Sequence, residues 1–319
     1  MTAEAVEPQG TGTSANAGRP VVRVGAPTER RDPRSVDLDL MSTRDVLAVI
    51  NEADRRVPAA VAAVLDEITS SVELAVTALR DGRRVHYFGA GTSGRLGVLD
   101  AAELAPTFNS PRHWFCAHLA GGPEAMWRAV EDAEDDDARG AAEADDCVSA
   151  GDVVVGLTAS GRTPYVLGAL AASRANGAAT VLLCANPETP SARAVDVFIG
   201  VDTGPEVVAG STRMKAGTAQ KLVLNGFSTA VMVRLGRVYS NLMIDVVATN
   251  AKLRGRMISI LMESTGCADE VARQALDEAD GDLKAALVSL VSGVAVTTAR
   301  AALARSADQV RGALALLAS

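Results

Sequence analysis

One pattern occurs twice in this chain and constrains its fold more than any other feature. A short apolar run ends in a turn of glycine and hydroxyl residues, and a helical pattern begins almost at once. The first instance is Arg84-Val85-His86-Tyr87-Phe88, followed by Gly89-Ala90-Gly91-Thr92-Ser93-Gly94 and by helical periodicity from Arg95 through Ala105, with a stop at Pro106. The second is Asp152-Val153-Val154-Val155-Gly156-Leu157, followed by Thr158-Ala159-Ser160-Gly161-Arg162-Thr163, with Pro164 opening the helix. Trp114–Leu119, Thr180–Cys184 and Val197–Gly200 read as further strands. Strands alternating with helices of about ten residues or more imply βαβ units, right-handed crossovers and a parallel sheet covered on both faces.

The flanks read differently. Residues 1–26 are rich in Gly, Ala, Thr, Glu and Pro without periodicity, and read as a disordered tail. Ser42 or Thr43 can cap a helix from about Asp45, and a second amphipathic pattern runs from Pro58 to about Leu79, broken by Asp81-Gly82. The acidic stretch from Glu124 to about Asp145 reads as helix, as does most of Thr212–Arg234. Between 257 and 300, Gly266, Gly281 and Gly293 punctuate three small helices, and a last helix is expected near 303–317. The expected division is a tail over 1–26, a sheet domain with N-terminal helices over 27–256, and a helical region over 257–319.

Composition narrows the function classes. The net charge is −8, from 31 basic and 39 acidic residues, which argues against the basic face of a nucleic-acid-binding protein. No stretch reaches the ~18–20 apolar residues of a membrane span, and the first residues lack a charged-then-apolar signal peptide. Cys116, Cys147, Cys184 and Cys267 form neither a CxxC pair nor a dense disulfide framework, which suits a reducing cytoplasm. His86, His113 and His118 lack metal-ligand spacing and read as structural or surface residues.

The two glycine–hydroxyl turns carry anion chemistry. In GAGTSGRLG (Gly89–Gly97), Gly91 lets the backbone approach a ligand, Thr92 and Ser93 offer hydroxyls, and the following helix presents unpaired N–H groups. The spacing is neither GxGxxG nor that of a P-loop. In TASGRTP, Thr158, Ser160 and Thr163 gather around Gly161. Two such turns at the carboxyl ends of parallel strands converge where these sheets bind ligands, and they suit a phosphate with sugar hydroxyls. A third stretch, EVVAGSTRMKAGTAQK (Glu206–Lys221), sets Glu206 among small residues; Ser211 or Thr212 can cap the next helix, and Lys215 reads as a solvated helix charge. Asp100 and Glu103 lie one turn apart in apolar surroundings that would raise a carboxyl pKa and suit acid–base work. Glu134, in AVEDAEDDDA, reads by composition alone as part of a solvated acidic face.

On these motifs the chain resembles the sugar isomerase (SIS) domain family, and within it the N-acetylmuramic acid 6-phosphate etherases. The most specific stretches are FGAGTSGRLGVLDAAELAPTF, VVVGLTASGRTPYV, EVVAGSTRMKAGTAQKLVLN and NLMIDVVATNAKLRGR, and the likeness spans about residues 27–300. The resemblance implies a homodimer of three-layer α/β/α sandwiches with five-stranded parallel sheets, and a UBA-like C-terminal unit. It implies a cytoplasmic enzyme of cell-wall recycling that needs no cofactor or metal and converts N-acetylmuramate 6-phosphate and water to N-acetylglucosamine 6-phosphate and D-lactate. Two glutamates are implied as catalytic: Glu103, the proton donor, in DAAELAP, where DASEC or DASEL is more usual, and Glu134 after the Gly-Gly turn, with Glu131 and Asp135 as neighbouring alternatives. A straight helix would carry Glu103 about 15 Å from Ser93. Either Gly97 breaks that helix or two subunits share a site. An aldose–ketose isomerase and a silent sugar-phosphate sensor would use the same turns; neither releases lactate, so a lactate assay separates the etherase reading from both.

Overall fold

The structure is a computed structural model and describes residues 26–246 and 251–318. Of the tail expected over residues 1–26, residues 1–25 lie outside the described residues, as do 247–250 within the Asn241–Arg256 stretch; Ala26 is buried, not part of a disordered tail. Three helices lead in: α1 (Thr43–Asp54), α2 (Val57–Ala62) and α3 (Leu65–Arg80). Ser42 caps α1, its Oγ accepting from Asp45 N at 3.3 Å. Then alternate β1 (Val85–Gly89), α4 (Gly91–Phe108), β2 (Phe115–Leu119), α5 (Asp137–Cys147), β3 (Val153–Leu157), α6 (Pro164–Ala175), β4 (Ala179–Cys184), β5 (Val197–Gly200) and α7 (Lys215–Arg234). The five strands form one parallel sheet in the order β2-β1-β3-β4-β5.

The sheet is buried on both faces, as its unbroken Val/Leu runs require. Successive side chains point to opposite sides. Val85, Tyr87, Val153, Val155 and Leu157 join one apolar cluster with residues of α3, α4 and α7. Phe88, Val154 and Leu182 join another with α5 and α6. The result is the expected three-layer α/β/α sandwich. A third cluster belongs to β6 (Val238–Tyr239), β7 (Leu242–Met243) and the C-terminal helices α8 (Ala251–Thr265), α9 (Asp269–Glu278), α10 (Leu283–Ser292), α11 (Val296–Arg305) and α12 (Val310–Ala318). The expected boundary at 256 falls inside α8, whose buried Met257, Ile258, Ile260 and Leu261 face this third cluster. No single described helix is long and apolar enough to cross a membrane.

Two local expectations change, and a third narrows from structural or surface to structural. Helix α4 starts at Gly91 rather than Arg95, and it runs through Pro106 to Phe108. Pro106 lies in the last turn, where the helix is held by buried Phe108 and closed by left-handed Asn109, which donates to Ala105 O at 2.9 Å. The acidic stretch is not one helix: short 3-10 turns cover Pro123–Met126 and Ala133–Asp135 before α5 begins. Finally, His86 and His118 share the sheet face under α5, in one stack with Phe88. Burial keeps His86 below the usual histidine range, and burial together with His86 takes His118 down to about 4, so both imidazoles are neutral at pH 7.

Candidate active site

The chain leaves β1 for β2 on one side and then crosses to β3 on the other, so the strand order reverses between β1 and β3. In open parallel sheets the crevice outside the carboxyl ends at such a switch point is where ligands bind. Gly89 and Leu157, the last residues of β1 and β3, are paired neighbours. Both hydroxyl turns therefore rise side by side from the switch point.

The first turn passes directly into α4. A Cβ at Gly94 would lie 2.5 Å from Gly89 O and 2.4 Å from Leu119 Cδ1, so only glycine lets the helix close on its strand. Ala90 offers no side-chain cap, which leaves first-turn N–H groups to an anion. Ser93 is buried and Thr92 half-buried. In the second turn Thr158 Oγ1 lies 2.7 Å from Thr163 Oγ1 and 3.5 Å from Ser160 Oγ. The backbone there is braced from behind: Asn186 Nδ2 donates to Ser160 O (3.0 Å) and Thr189 Oγ1 to Gly161 O (2.9 Å). Asn186 and Thr189 carry no motif signal, because their role is set by the β4 loop folding back on this turn. Thr163 makes no capping bond to α6.

The third motif reaches the same place. The position of a Cβ on Gly217 is 3.5 Å from both Thr92 Cγ2 and Thr212 O, so the start of α7 packs against the first turn. Ser211 and Thr212 are half-buried here, but neither caps the helix, contrary to expectation. Glu206 does so, Oε2 accepting from Lys215 N at 3.0 Å and Oε1 from Ala216 N at 2.9 Å. It is fully buried, and both oxygens serve the helix, so in this arrangement it positions the wall and offers no free oxygen to a ligand. Lys215 is likewise not solvated: it is buried, and its Nζ donates to Thr203 O at 2.7 Å. Burial lowers its pKa, and the Glu206 charge works against that shift. Glu206→Ala is expected to destabilise the protein by about 1–3 kcal/mol, because it strands two buried amides and removes a charge that favours the buried Lys215 cation. Urea unfolding measures this, and a change within about 0.5 kcal/mol would mean that the pair carries no such load.

The two glutamates separate. Glu134 sits on the 133–135 turn, exposed, on the wall of a cavity of about 220 Å³ that Gly91, Arg95, Ala120 and Glu131 also line. Arg95, not singled out in the sequence, braces that wall by donating to Ala125 O (2.8 Å) and Arg128 O (3.1 Å). Glu103 is exposed on α4, not set in apolar surroundings as expected. The buried carboxylate of that helix is Asp100, which accepts from Tyr87 Oη (3.0 Å), Asn225 Nδ2 (2.7 Å) and Ser228 Oγ (3.0 Å); burial raises its pKa, and these bonds oppose the rise. Gly97 does not break α4, which is continuous over Gly91–Phe108; a Cβ there would lie 2.9 Å from Leu157 Cδ1 and 3.2 Å from Tyr87 Cβ, so glycine lets the helix pack onto β1 and β3. Glu103 thus lies about 15 Å along a continuous helix from Ser93. A larger cleft of about 850 Å³ lies by Glu73, Gly151 and Gly177, at the amino ends of the strands. It lacks the hydroxyl turns.

Two family models match the chain, the glucokinase regulatory protein N-terminal SIS domain over residues 67–174 and the SIS domain over residues 130–230. The chain is 59% identical over 273 residues to an N-acetylmuramic acid 6-phosphate etherase of Thermobifida fusca, covering 86% of this chain and 90% of that protein. It is 51% identical to the protein of that name in Mycolicibacterium smegmatis, covering 90% and 97%, and 49% identical to that in Pectobacterium atrosepticum, covering 90% and 95%.

Proposed function

We infer the course of the reaction from one premise: the chain belongs to the N-acetylmuramic acid 6-phosphate etherase family. It is an enzyme of amino-sugar metabolism in peptidoglycan recycling, and it cleaves the lactyl ether of N-acetylmuramic acid 6-phosphate to give N-acetylglucosamine 6-phosphate and D-lactate. Direct hydrolysis of such an ether is hard, because an alkoxide is a poor leaving group. In the ring-opened sugar, carbon 1 is an aldehyde, the carbon 2 proton is acidified, and the lactyl oxygen on carbon 3 is β to the carbonyl. Removing the carbon 2 proton gives an enolate, which expels lactate as its ether oxygen is protonated. Water then adds to carbon 3 of the unsaturated aldehyde. The activity is accordingly that of a carbon–oxygen lyase.

The observation that carries the site assignment is the pairing of two hydroxyl turns at the β1/β3 switch, with Glu134 on the adjoining wall. The 6-phosphate is held by the α4 amino end with Thr92 and Ser93 and by Thr158, Ser160 and Thr163. Glu134 is the base at carbon 2 and Glu103 the acid at the leaving oxygen, two roles that require one carboxylate ionised and one protonated. A phosphohexose is shorter than 15 Å, and Glu103 faces solvent. The acid is therefore supplied by Glu103 of the partner subunit in a homodimer, with Ser211 and Thr212 on the nearby wall. The four cysteines are free thiols, the state a reducing cytoplasm keeps.

The test is incubation with N-acetylmuramate 6-phosphate in ¹⁸O-labelled water. Elimination and readdition put one ¹⁸O on carbon 3 of the sugar and none in the released D-lactate. Label in the lactate would overturn the elimination route, and a ketose product without lactate would make the protein an isomerase.

A further inference from the structure

Away from the crevice, three ligand-type atoms meet beneath α5. His86 Nδ1 and His118 Nε2 are 3.0 Å apart, Cys147 Sγ is 3.7 Å from His118 Nε2, and it is 4.0 Å from His86 Nδ1. These are the separations a tetrahedral zinc ion imposes within a few tenths of an ångström, about 3.3 Å between two nitrogens and about 3.6 Å between nitrogen and sulfur. We propose that His86, His118 and Cys147 form a site for a borderline-soft divalent cation, zinc above all, which pins α5 to the β1–β2 edge of the sheet.

The surroundings are built for it. His118 lies flat on Phe88, ring centroids 4.2 Å apart, and His86 stacks on His118 at 5.3 Å, so both imidazoles are held in orientation. The far nitrogen of His86, Nε2, is buried without a hydrogen-bond partner and points toward Asp152 Oδ2 at 3.4 Å. Asp152 is itself fixed, accepting from Arg84 N (2.9 Å) and Ser149 N (2.8 Å). A carboxylate behind a ligating imidazole sets its tautomer and raises its donor strength, and metal sites reuse that arrangement. Cys147 is the last residue of α5, and its thiol now donates to Glu143 O at 2.9 Å. His118 and Cys147 are only half-buried, which leaves an entry path. Cys116, opposite His86 in the strand register, is a second thiol on this face, and the fourth position is otherwise open to water.

The site lies beneath α5 on the face of the sheet, about 3–10 Å below the carboxyl ends of the strands, since His118 precedes Leu119 by one residue and His86 precedes Gly89 by three. It is therefore apart from the elimination chemistry, and its role is structural: α5 starts just after the 133–135 turn that carries Glu134, so fixing the helix steadies that turn. Nothing in the linear spacing shows the cluster, because its members come from two neighbouring strands and a helix.

Cobalt(II) titration of the chelator-treated full chain tests this directly. The expected result is one equivalent bound, with a thiolate-to-cobalt charge-transfer band in the near ultraviolet, tetrahedral d–d absorption in the visible, and full displacement by zinc. Cys147→Ser is expected to abolish the charge-transfer band. Cys147→Ser and His118→Asn should each weaken zinc binding by more than the about 10–100-fold that Asp152→Asn costs as an outer-shell change. The proposal is overturned if the unaltered chain binds less than one equivalent or shows no charge-transfer band, a result that needs no variant to fold. It is overturned equally if folded Cys147→Ser and His118→Asn proteins hold zinc as tightly as the parent.

Discussion

Glu103→Gln is expected to lower the rate of lactate release by about 10²–10⁴-fold. Glutamine keeps the shape of the side chain but has no acidic proton for the departing ether oxygen. The residue is exposed on α4, so the exchange should change stability by no more than about 0.5 kcal/mol. Binding of N-acetylglucosamine 6-phosphate to the hydroxyl turns should be preserved within a few fold. The loss therefore falls on turnover, as expected for a contact made at the transition state. Exchange of the carbon 2 hydrogen with deuterated solvent separates the two glutamates. A variant lacking only the acid still forms the enolate and still exchanges. Glu134→Gln, lacking the base, loses both exchange and lactate release. A Glu103→Gln enzyme that releases lactate at the parent rate would remove Glu103 from the mechanism.

The contrast between these two residues shows what a linear reading can reach. The sheet was legible because buried parallel strands need unbroken runs such as Val153-Val154-Val155, and the runs of β1 and β3 end in turns whose glycines and hydroxyls are local necessities. The position of Ser160 beside Thr158 and Thr163 follows from the six residues of Thr158–Thr163. What sequence spacing could not give is the environment created by other elements. Glu103 and Asp100 share an apolar stretch, yet α4 turns Asp100 inward to Tyr87, Asn225 and Ser228 and leaves Glu103 outside. Lys215 looks like a surface charge until the loop carrying Glu206 closes over the start of α7. Ser211 and Thr212 have the right chemistry for a cap and lose the position to a glutamate several residues earlier. The acidic stretch after Gly122 fails as a helix for a local reason: Asp132 adopts a left-handed conformation, φ 64°, between the two 3-10 turns. That break puts Glu134 against the cavity beside Gly91 instead of on a solvated helix face.

Mixing two inactive proteins should restore activity. One carries Glu103→Gln, the other Ser93→Ala with Ser160→Ala, which weakens the phosphate grip from both turns. If each site combines the hydroxyl turns of one subunit with Glu103 of the partner subunit, a mixed dimer holds one intact site and one doubly damaged site. Equimolar co-refolding makes half the dimers mixed, so about a quarter of parent activity returns in a two-fold symmetric pair. A site contained in one chain predicts the opposite: every site in the mixture carries one defect, and activity stays at the mean of the separate proteins. The difference between those outcomes spans about an order of magnitude if each parent variant is below a few per cent, which loss of the acid, worth about 10²-fold or more, provides for Glu103→Gln and assay at substrate concentrations below the raised KM provides for the serine variant. The unbroken α4 drives the expectation, because its rise of about 15 Å between Ser93 and Glu103 is longer than the sugar phosphate that must touch both. A monomer in solution with full activity would refute the shared site at once, and the acid would then have to be a carboxylate on the wall of the crevice itself, where Glu131 stands next to Glu134.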